Sequence, residues 1–423
     1  MGFFDVINNI LKIAGDAFAG FITGLFGAGG VSEFVIMLLA ALLICGLCAF
    51  AFMLLTWTER KIVARIQDRI GPNQAGPYGL LQPFADGIKM FTKEDTTPAL
   101  ADRWVYNLAP LVISVFALLA YAVFPFAPGV VGTNLNIGVF YIIAVGSGST
   151  IAILMAGWGS NNKYSLLGAF RTVAQLIGYE VPMLLNVLPV VMLTGSMSLV
   201  DIIEHQTLNN GGTGIPFIVV LPLSALVFLI SGIAETGRSP FDLLEAESEI
   251  VAGFHVEYSG MKFALFFLGE YVNALAVSIM FSVLFLGGYA GPVLPPYIWF
   301  LLKVSAIFIG LMWLRGTLPR VRVDQLMSFN WKFLVPMSIV NVIIVMVVGK
   351  VFVADPAMAH ANGGIAVPPL VQALILLSSN IVLLVVSLLF VARQARKLRL
   401  VEAEDIDKRR AQNIAAVQKV VAQ

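Results

Sequence analysis

Four charged side chains stand where charge is expensive. Glu180, Glu235, Glu270 and Lys303 lie within or at the ends of long apolar stretches. An ionised side chain at the centre of a bilayer costs about 2.5–3.5 kcal/mol on insertion scales. Such a group normally faces a bundle interior or a wet cavity. Carboxyl groups in that setting can take up and release protons near neutral pH, so Glu180, Glu235 and Glu270 read as a proton path. The packing alternative is a buried ion pair, with Glu180 or Glu270 set against Lys303. A second anomaly is the stretch Glu235–Glu257, ETGRSPFDLLEAESEIVAGFHVE, which carries Asp242, Glu245, Glu247, Glu249 and Glu257 with one cation, Arg238. It is either a solvated charge run or a partly enclosed carboxylate cluster beneath a partner, whose protonations would then be coupled.

Other chemistries find little support. Cys45 and Cys48 form a C-x-x-C inside the apolar run LLICGLCAFAFMLL, with no second ligand pair, so a zinc or redox centre lacks its context. His205, His255 and His360 are far apart in sequence, and no metal site is expected. Gly27–Gly30 follows no strand and is no nucleotide fingerprint. With a net charge of +1, nothing favours nucleic acid as a partner.

The elements that must position these charges are membrane spans. The chain is 59% hydrophobic and 12% charged, half the charge of an ordinary soluble domain at about 25%. Its mean hydropathy is +0.89. A spanning helix needs about 20 apolar residues, and nine stretches qualify: 34–57, 104–127, 137–158, 166–194, 215–234, 263–287, 297–314, 333–353 and 369–392. The fourth holds Pro182 and Pro189, where a kink is expected. The apolar runs are continuous rather than alternating, which excludes a β-barrel. The expected fold is therefore an all-α polytopic helix bundle with amphipathic interfacial helices. Residues 1–33 form an N-terminal interfacial helix, 34–392 the bundle, and 393–423 a basic tail suited to lipid headgroups. The start, MGFFDVINN, has no basic region of the kind that opens a secretory signal. The cytoplasmic loops are 58–103, 159–165, 235–262 and 315–332. Lys and Arg concentrate there and in the tail, which puts the N-terminus outside and the C-terminus in the cytoplasm.

The first loop carries two amphipathic stripes. In TERKIVARIQDRI, Ile62, Val63, Ile66 and Ile70 share a face, and Gly71-Pro72 ends the helix. Leu80, Leu81, Phe84, Ile88 and Phe91 follow at helical spacing. Both read as surface helices on the membrane face, or as a docking platform at the entrance for a lipid-soluble substrate.

Several of these blocks resemble the heel subunit of the membrane arm in the NADH:quinone oxidoreductase (respiratory complex I) family, the one lettered H. They are TERKIVARIQDRIGPNQAGPYGLLQPFADGIKMFTKED, GWGSNNKYSLLGAFRTVAQLIGYEVP, AETGRSPFDLLEAESEIVAGFHVEYSGMKFALFFLGEY and WLRGTLPRVRVDQLM. They run in order from about residue 57 to 335. The resemblance implies a subunit of a proton-translocating enzyme in a bacterial plasma membrane. Quinone is its substrate. NADH, flavin and iron–sulfur clusters belong to other subunits. Partners are quinone-site and iron–sulfur subunits on the cytoplasmic face, small membrane-arm subunits and lipid. By the same resemblance Glu180, Glu235 and Glu270 match the membrane proton route. Asp242, Glu245, Glu247 and Glu249 match the acidic coupling loop. Arg60, Lys61, Arg65, Asp68 and Arg69 match the quinone-chamber mouth, and Lys303 and Arg315 match charged positions of the seventh span. The sequence departs from the family pattern Asn-Arg-Ala-Pro-Phe-Asp-Leu-Pro at Gly237 and Leu244, which predicts a more flexible loop. No carboxylate is found in span three. Two other readings remain open: the equivalent anchor of a membrane-bound hydrogenase or of a ferredoxin- or deazaflavin-linked dehydrogenase, and a stand-alone ion transporter, although no internal repeat is evident.

Overall fold

The computed structural model describes residues 30–207, 214–244, 253–353, 365–366, 368, 370–390 and 392–393. The expected interfacial helix before residue 30, the tail after 393, and Glu245, Glu247 and Glu249 lie outside these residues. The described chain is an all-helical bundle. Its helices in order are α1 (Gly30–Ile66), α2 (Gln82–Thr92), α3 (Arg103–Leu119), α4 (Gly138–Gly159), α5 (Lys163–Thr194), α6 (Leu199–His205), α7 (Phe217–Val220), α8 (Pro222–Glu235), α9 (Gly260–Phe285), α10 (Pro296–Thr317), α11 (Val323–Phe329) and α12 (Val335–Val351), then α13 (Leu370–Phe390). Among the described residues, eight helices are long and apolar enough to cross a membrane.

Two elements differ from the sequence reading. The expected fifth span, 215–234, is broken. Pro222 cannot donate a backbone hydrogen bond and disfavours helical geometry in the residue before it. Leu221 accordingly takes φ −125° and ψ 57°, and the segment divides into α7 and the 14-residue α8. The helix expected to follow span one is not separate either. TERKIVARI continues span one, giving α1 37 residues. At 1.5 Å per residue such a helix is about 55 Å long, well beyond the roughly 30 Å of a hydrocarbon core, so its charged end stands clear of the apolar layer.

Prolines inside the spans leave carbonyls without their helical donor, and neighbouring side chains satisfy them. Pro182 frees the Gly178 carbonyl, which accepts from Asn330 Nδ2 at 2.6 Å. Pro110 of α3 frees the Tyr106 carbonyl, which accepts from the Tyr258 hydroxyl at 3.1 Å. In a bilayer an orphaned backbone group costs several kcal/mol, so these pairings fix where α5 and α3 sit. Asn330 occupies a short π-helical turn, Asn330–Leu334, which joins α11 to α12.

Close crossings hold the bundle around the charged groups. Gly157 on α4 lets α5 approach so near that a Cβ there would lie 2.3 Å from the Cβ of Ala169. Leu42, Leu43 and Leu47 of α1 are exposed, as lipid-facing side chains would be.

Candidate functional site

α1 delivers a carboxylate that the sequence reading passed over. Glu59 lies on the face of α1 that also bears Phe52, Leu55 and Ile62, all packed on the inner core. Arg238 Nη1 donates to Glu59 Oε1 at 2.8 Å and to Oε2 at 2.7 Å. Its Nε forms an ion pair with Glu270 Oε1 at 2.9 Å. Arg315, near the end of α10, also donates to Glu59 Oε1. The Arg238 guanidinium stands 4.2 Å from the centre of the Tyr271 ring, a favourable cation–π placement. Two acids and two guanidiniums therefore share one buried cluster joining α1, the loop after α8, α9 and α10. Only mutual pairing of this kind makes such burial tolerable.

The carboxylates expected to act together converge only in part. Glu235 and Glu270 line one cavity of about 70 Å³, with Gly146, Asn273, His255 and an otherwise mostly apolar wall. Glu235 Oε2 is sealed from solvent without a hydrogen-bond partner among the described residues. A Cβ added at Gly146 would stand 3.2 Å from Glu235 Oε1. Glu180 is close enough for its charge to act on Glu235, and the Ser147 hydroxyl of α4 donates to the Ala144 carbonyl at 2.9 Å. Lys303 is elsewhere. Its ammonium donates to the carbonyls of Leu286 at 2.6 Å, Gly288 at 3.0 Å and Ala290 at 2.6 Å. An ammonium has three protons to donate, so Lys303 is committed to the chain just beyond α9 and makes no ion pair with Glu180 or Glu270. Glu270 pairs instead with Arg238.

The acidic loop is strapped to α5 by polar side chains on one helical face. Gln175 Nε2 donates to the carbonyls of Ala234 at 2.6 Å and Phe241 at 2.8 Å. Thr172 donates to Leu243, Ser165 to Phe254, and Asn162 Nδ2 to Glu257 Oε1. Gly237 and Leu244 fit each other. Gly237 has φ +63°, and a Cβ on it would lie 2.2 Å from Leu244 Cδ1. The missing side chain is the space that buried Leu244 occupies, so these two departures from the family pattern compensate one another and do not simply loosen the turn. Asp242 leaves its Oδ1 buried and without a hydrogen-bond partner among the described residues.

At the expected mouth, Arg60 pairs with Asp86 of α2 at 2.5 Å. Arg60, Arg65, Asp68 and Arg69 are exposed and Lys61 is partly so. Leu80, Leu81, Phe84, Ile88 and Phe91 are all exposed, so this apolar stripe finds no cover among the described residues. Trp57 Nε1 donates to the Tyr78 carbonyl at 3.3 Å and ties the stripe to α1. Arg315, also expected at the mouth, is partly exposed and donates to Glu59. Among the described residues no group of three or more His, Cys, Asp or Glu could hold a metal ion.

Residues 38–346 match the family described as NADH dehydrogenase. The H subunit of NADH-quinone oxidoreductase from Dehalococcoides mccartyi (strain CBDB1) is 53% identical over 315 residues, 74% of this chain and 87% of that protein. An H subunit of the same enzyme from Geobacter sulfurreducens is 48% identical over 299 residues, 69% and 89% of the two chains. The one from Geobacillus kaustophilus is 48% identical over 296 residues, 69% and 87%. By the breadth of these matches, and with the helical bundle and buried carboxylates they cover, the chain belongs to the family of NADH-quinone oxidoreductase H subunits.

Proposed function

We propose that this chain is the membrane-arm subunit of a bacterial proton-translocating NADH:quinone oxidoreductase, framing quinone's passage from lipid to a partner subunit and opening the proton route. The observation that carries this reading is the shared cavity of Glu235 and Glu270, with the sealed, unpartnered Oε2 of Glu235. A void of that size takes about five waters, and the two carboxyl groups that line it give such waters polar partners. Glu180 acts on the same carboxylate. Arg238 ties Glu270 to Glu59, and so ties the cavity to the cytoplasmic end of α1.

Quinone enters from the bilayer beside the uncovered stripe of α2 and the charged end of α1, where Arg60, Lys61, Arg65, Asp68 and Arg69 stand. The redox centres lie on iron–sulfur partners that dock on the cytoplasmic loops. Reduction changes the charge at the chamber, and Asp242 and the acids following it in the loop respond. Two unit charges 4 Å apart interact by about 4 kcal/mol at an effective dielectric near 20. Moving a protonation equilibrium tenfold needs only about 1.4 kcal/mol. The Lys and Arg distribution supports an outside N-terminus and a cytoplasmic C-terminus.

The test uses the intact complex in proteoliposomes with Glu180→Gln, Glu235→Gln and Glu270→Gln. Each variant is expected to lower protons moved per electron. Full stoichiometry in all three would overturn the proton route. A quinone homologue titrated into the purified complex should perturb the terminal iron–sulfur signal in electron paramagnetic resonance, and an unchanged signal would remove quinone from the reading.

A further inference from the structure

His255 sits where the acidic loop meets the carboxylate cavity. It lines the same void as Glu235 and Glu270. Three phenylalanine rings surround it: Phe254 at 5.2 Å, Phe263 at 5.4 Å and Phe267 at 6.3 Å between ring centroids. Phe263 and Phe267 are one turn apart on α9. Gly253 closes another side, where a Cβ would lie 3.4 Å from His255 Cε1 and 1.6 Å from the Leu244 carbonyl oxygen. That approach draws the loop's return strand onto Leu244 and sets the imidazole against the cavity. Asp242 of the loop is near enough for its charge to act on the ring, and its Oδ1 is buried without a hydrogen-bond partner among the described residues. The imidazole therefore shares one cavity with Glu235 and Glu270 while lying within electrostatic reach of Asp242.

We propose that His255 is a proton-relay residue between Asp242 of the acidic loop and the water cavity shared by Glu235 and Glu270. The inference rests on the proton route proposed above and supplies its loop-side entrance. A neutral imidazole has one nitrogen that accepts and one that donates. A proton arriving on the first is matched by release of the proton from the second. The ring stays neutral overall and ends as the other tautomer, and a half-turn about Cβ–Cγ then brings its acceptor nitrogen back to the receiving side and its donor nitrogen to the releasing side. No electron moves and no other bond breaks. Burial pushes the imidazole down to about 4, with Asp242 pulling the other way, so the ring keeps one donor and one acceptor nitrogen at neutral pH. The charged groups facing it are Asp242 from the loop, Glu235 from α8 and Glu270 from α9. Glu270 is already held by Arg238, and Glu257, two residues on, is held by Asn162.

The experiment compares His255→Gln, His255→Leu and Glu235→Gln in the intact complex, with assembly checked on native gels. It reads protons per electron, the pH profile of coupled quinone reduction and the solvent deuterium isotope effect. Gln fills similar space and hydrogen-bonds but cannot exchange one proton for another. Relay predicts that both His255 variants lose coupled rate by roughly tenfold or more, within the range of a lost proton-transfer group, and that the pH profile shifts. Gln decides the matter if Leu prevents assembly. Wild-type stoichiometry, pH profile and isotope effect in the His255 variants, beside a defective Glu235→Gln, would overturn the relay and leave the route standing. Wild-type behaviour in Glu235→Gln as well would overturn both.

Discussion

Arg238 grips both oxygens of Glu59 through one nitrogen, at 2.8 and 2.7 Å, across 179 positions of sequence. Both side chains are buried, at 2% and 8% exposure. Neither ion could stay there alone. Removing one partner of a buried pair typically costs about 3–5 kcal/mol, because the other charge is left without compensation. Glu59→Gln should therefore lower the amount of assembled subunit and the melting temperature of the complex more than Arg60→Gln, which breaks an exposed pair with Asp86. The double change Glu59→Gln with Arg315→Met, which restores charge balance, should recover part of the loss. Thermal unfolding of the three purified complexes reads this directly. Equal losses for Glu59→Gln and Arg60→Gln would contradict the clustering.

Gly237 and Leu244 make a complementary pair, so they should be exchangeable only together. Gly237→Asn places a side chain where Leu244 Cδ1 lies, and overpacking of this kind costs about 1–3 kcal/mol. Asn itself tolerates a positive φ, so the clash is with Leu244 and not with the backbone. Adding Leu244→Pro removes the obstructing methyls. The double variant should be more stable than Gly237→Asn alone, as measured by the yield and thermal midpoint of the complex.

The bundle and its charged spans were legible because hydrocarbon imposes a simple rule: long apolar runs must be helices, and acids within them must have a purpose. Glu180, Glu235 and Glu270 stood out on that rule. Glu59 did not, because in TERK it reads as one charge among several in a solvated loop. Its helical phase with Leu55 and Ile62 was the available signal, and it became visible only once α1 proved continuous to Ile66. Arg238 looked like a lone cation because its partners, Glu59 and Glu270, lie on distant elements. The straps from Asn162, Ser165, Thr172 and Gln175 share a face of α5, but a single sequence does not show what that face meets. Lys303 was grouped with the acids by burial alone, and the carbonyls beyond α9 that hold it carry no side-chain signature.

Asn330 replaces a hydrogen bond that Pro182 cannot make. Asn330→Ala should cost about 1–3 kcal/mol by leaving the buried Gly178 carbonyl without a donor. Pro182→Ala restores the missing N–H, so the same Asn330→Ala change should cost markedly less in that background. A double-mutant cycle on the thermal stability of the complex isolates the coupling. Additive costs would mean that the Gly178 carbonyl is satisfied some other way.

His255 also gives the loop a pH dependence of definite sign. Burial holds its folded value down to about 4, against about 6.5 for an unperturbed imidazole. The unfolded loop therefore binds the proton more readily. This contribution to stability is fully present above pH 6.5 and is lost as pH falls from there towards 4. The protection of residues 253–259 against hydrogen exchange in the intact complex, relative to the intrinsic rate at each pH, should fall over that window. In His255→Gln that fall should be absent, while any acid response from Asp242 and Glu257 remains.

Gly146 offers a way to alter the cavity without touching a charge. A Cβ at this position would come 3.2 Å from Glu235 Oε1, tight but not prohibitive, and it would project into the space that Glu235 and Glu270 share. Gly146→Ala should let the bundle assemble, since alanine suits a helix better than glycine. The methyl would compete with water for the carboxylate, and a displaced bridging water forfeits a contact nearly as good as a direct hydrogen bond. If that loss falls on the proton-transfer step, about 1.4 kcal/mol slows it roughly tenfold. Coupled quinone reduction in proteoliposomes should then fall while the thermal midpoint holds. Gly310→Ala, at an open position of α10 with nothing within 4 Å of the added carbon, serves as the control for glycine replacement as such. If Gly146→Ala turned over and pumped like that control, the space beside Glu235 would carry no proton traffic.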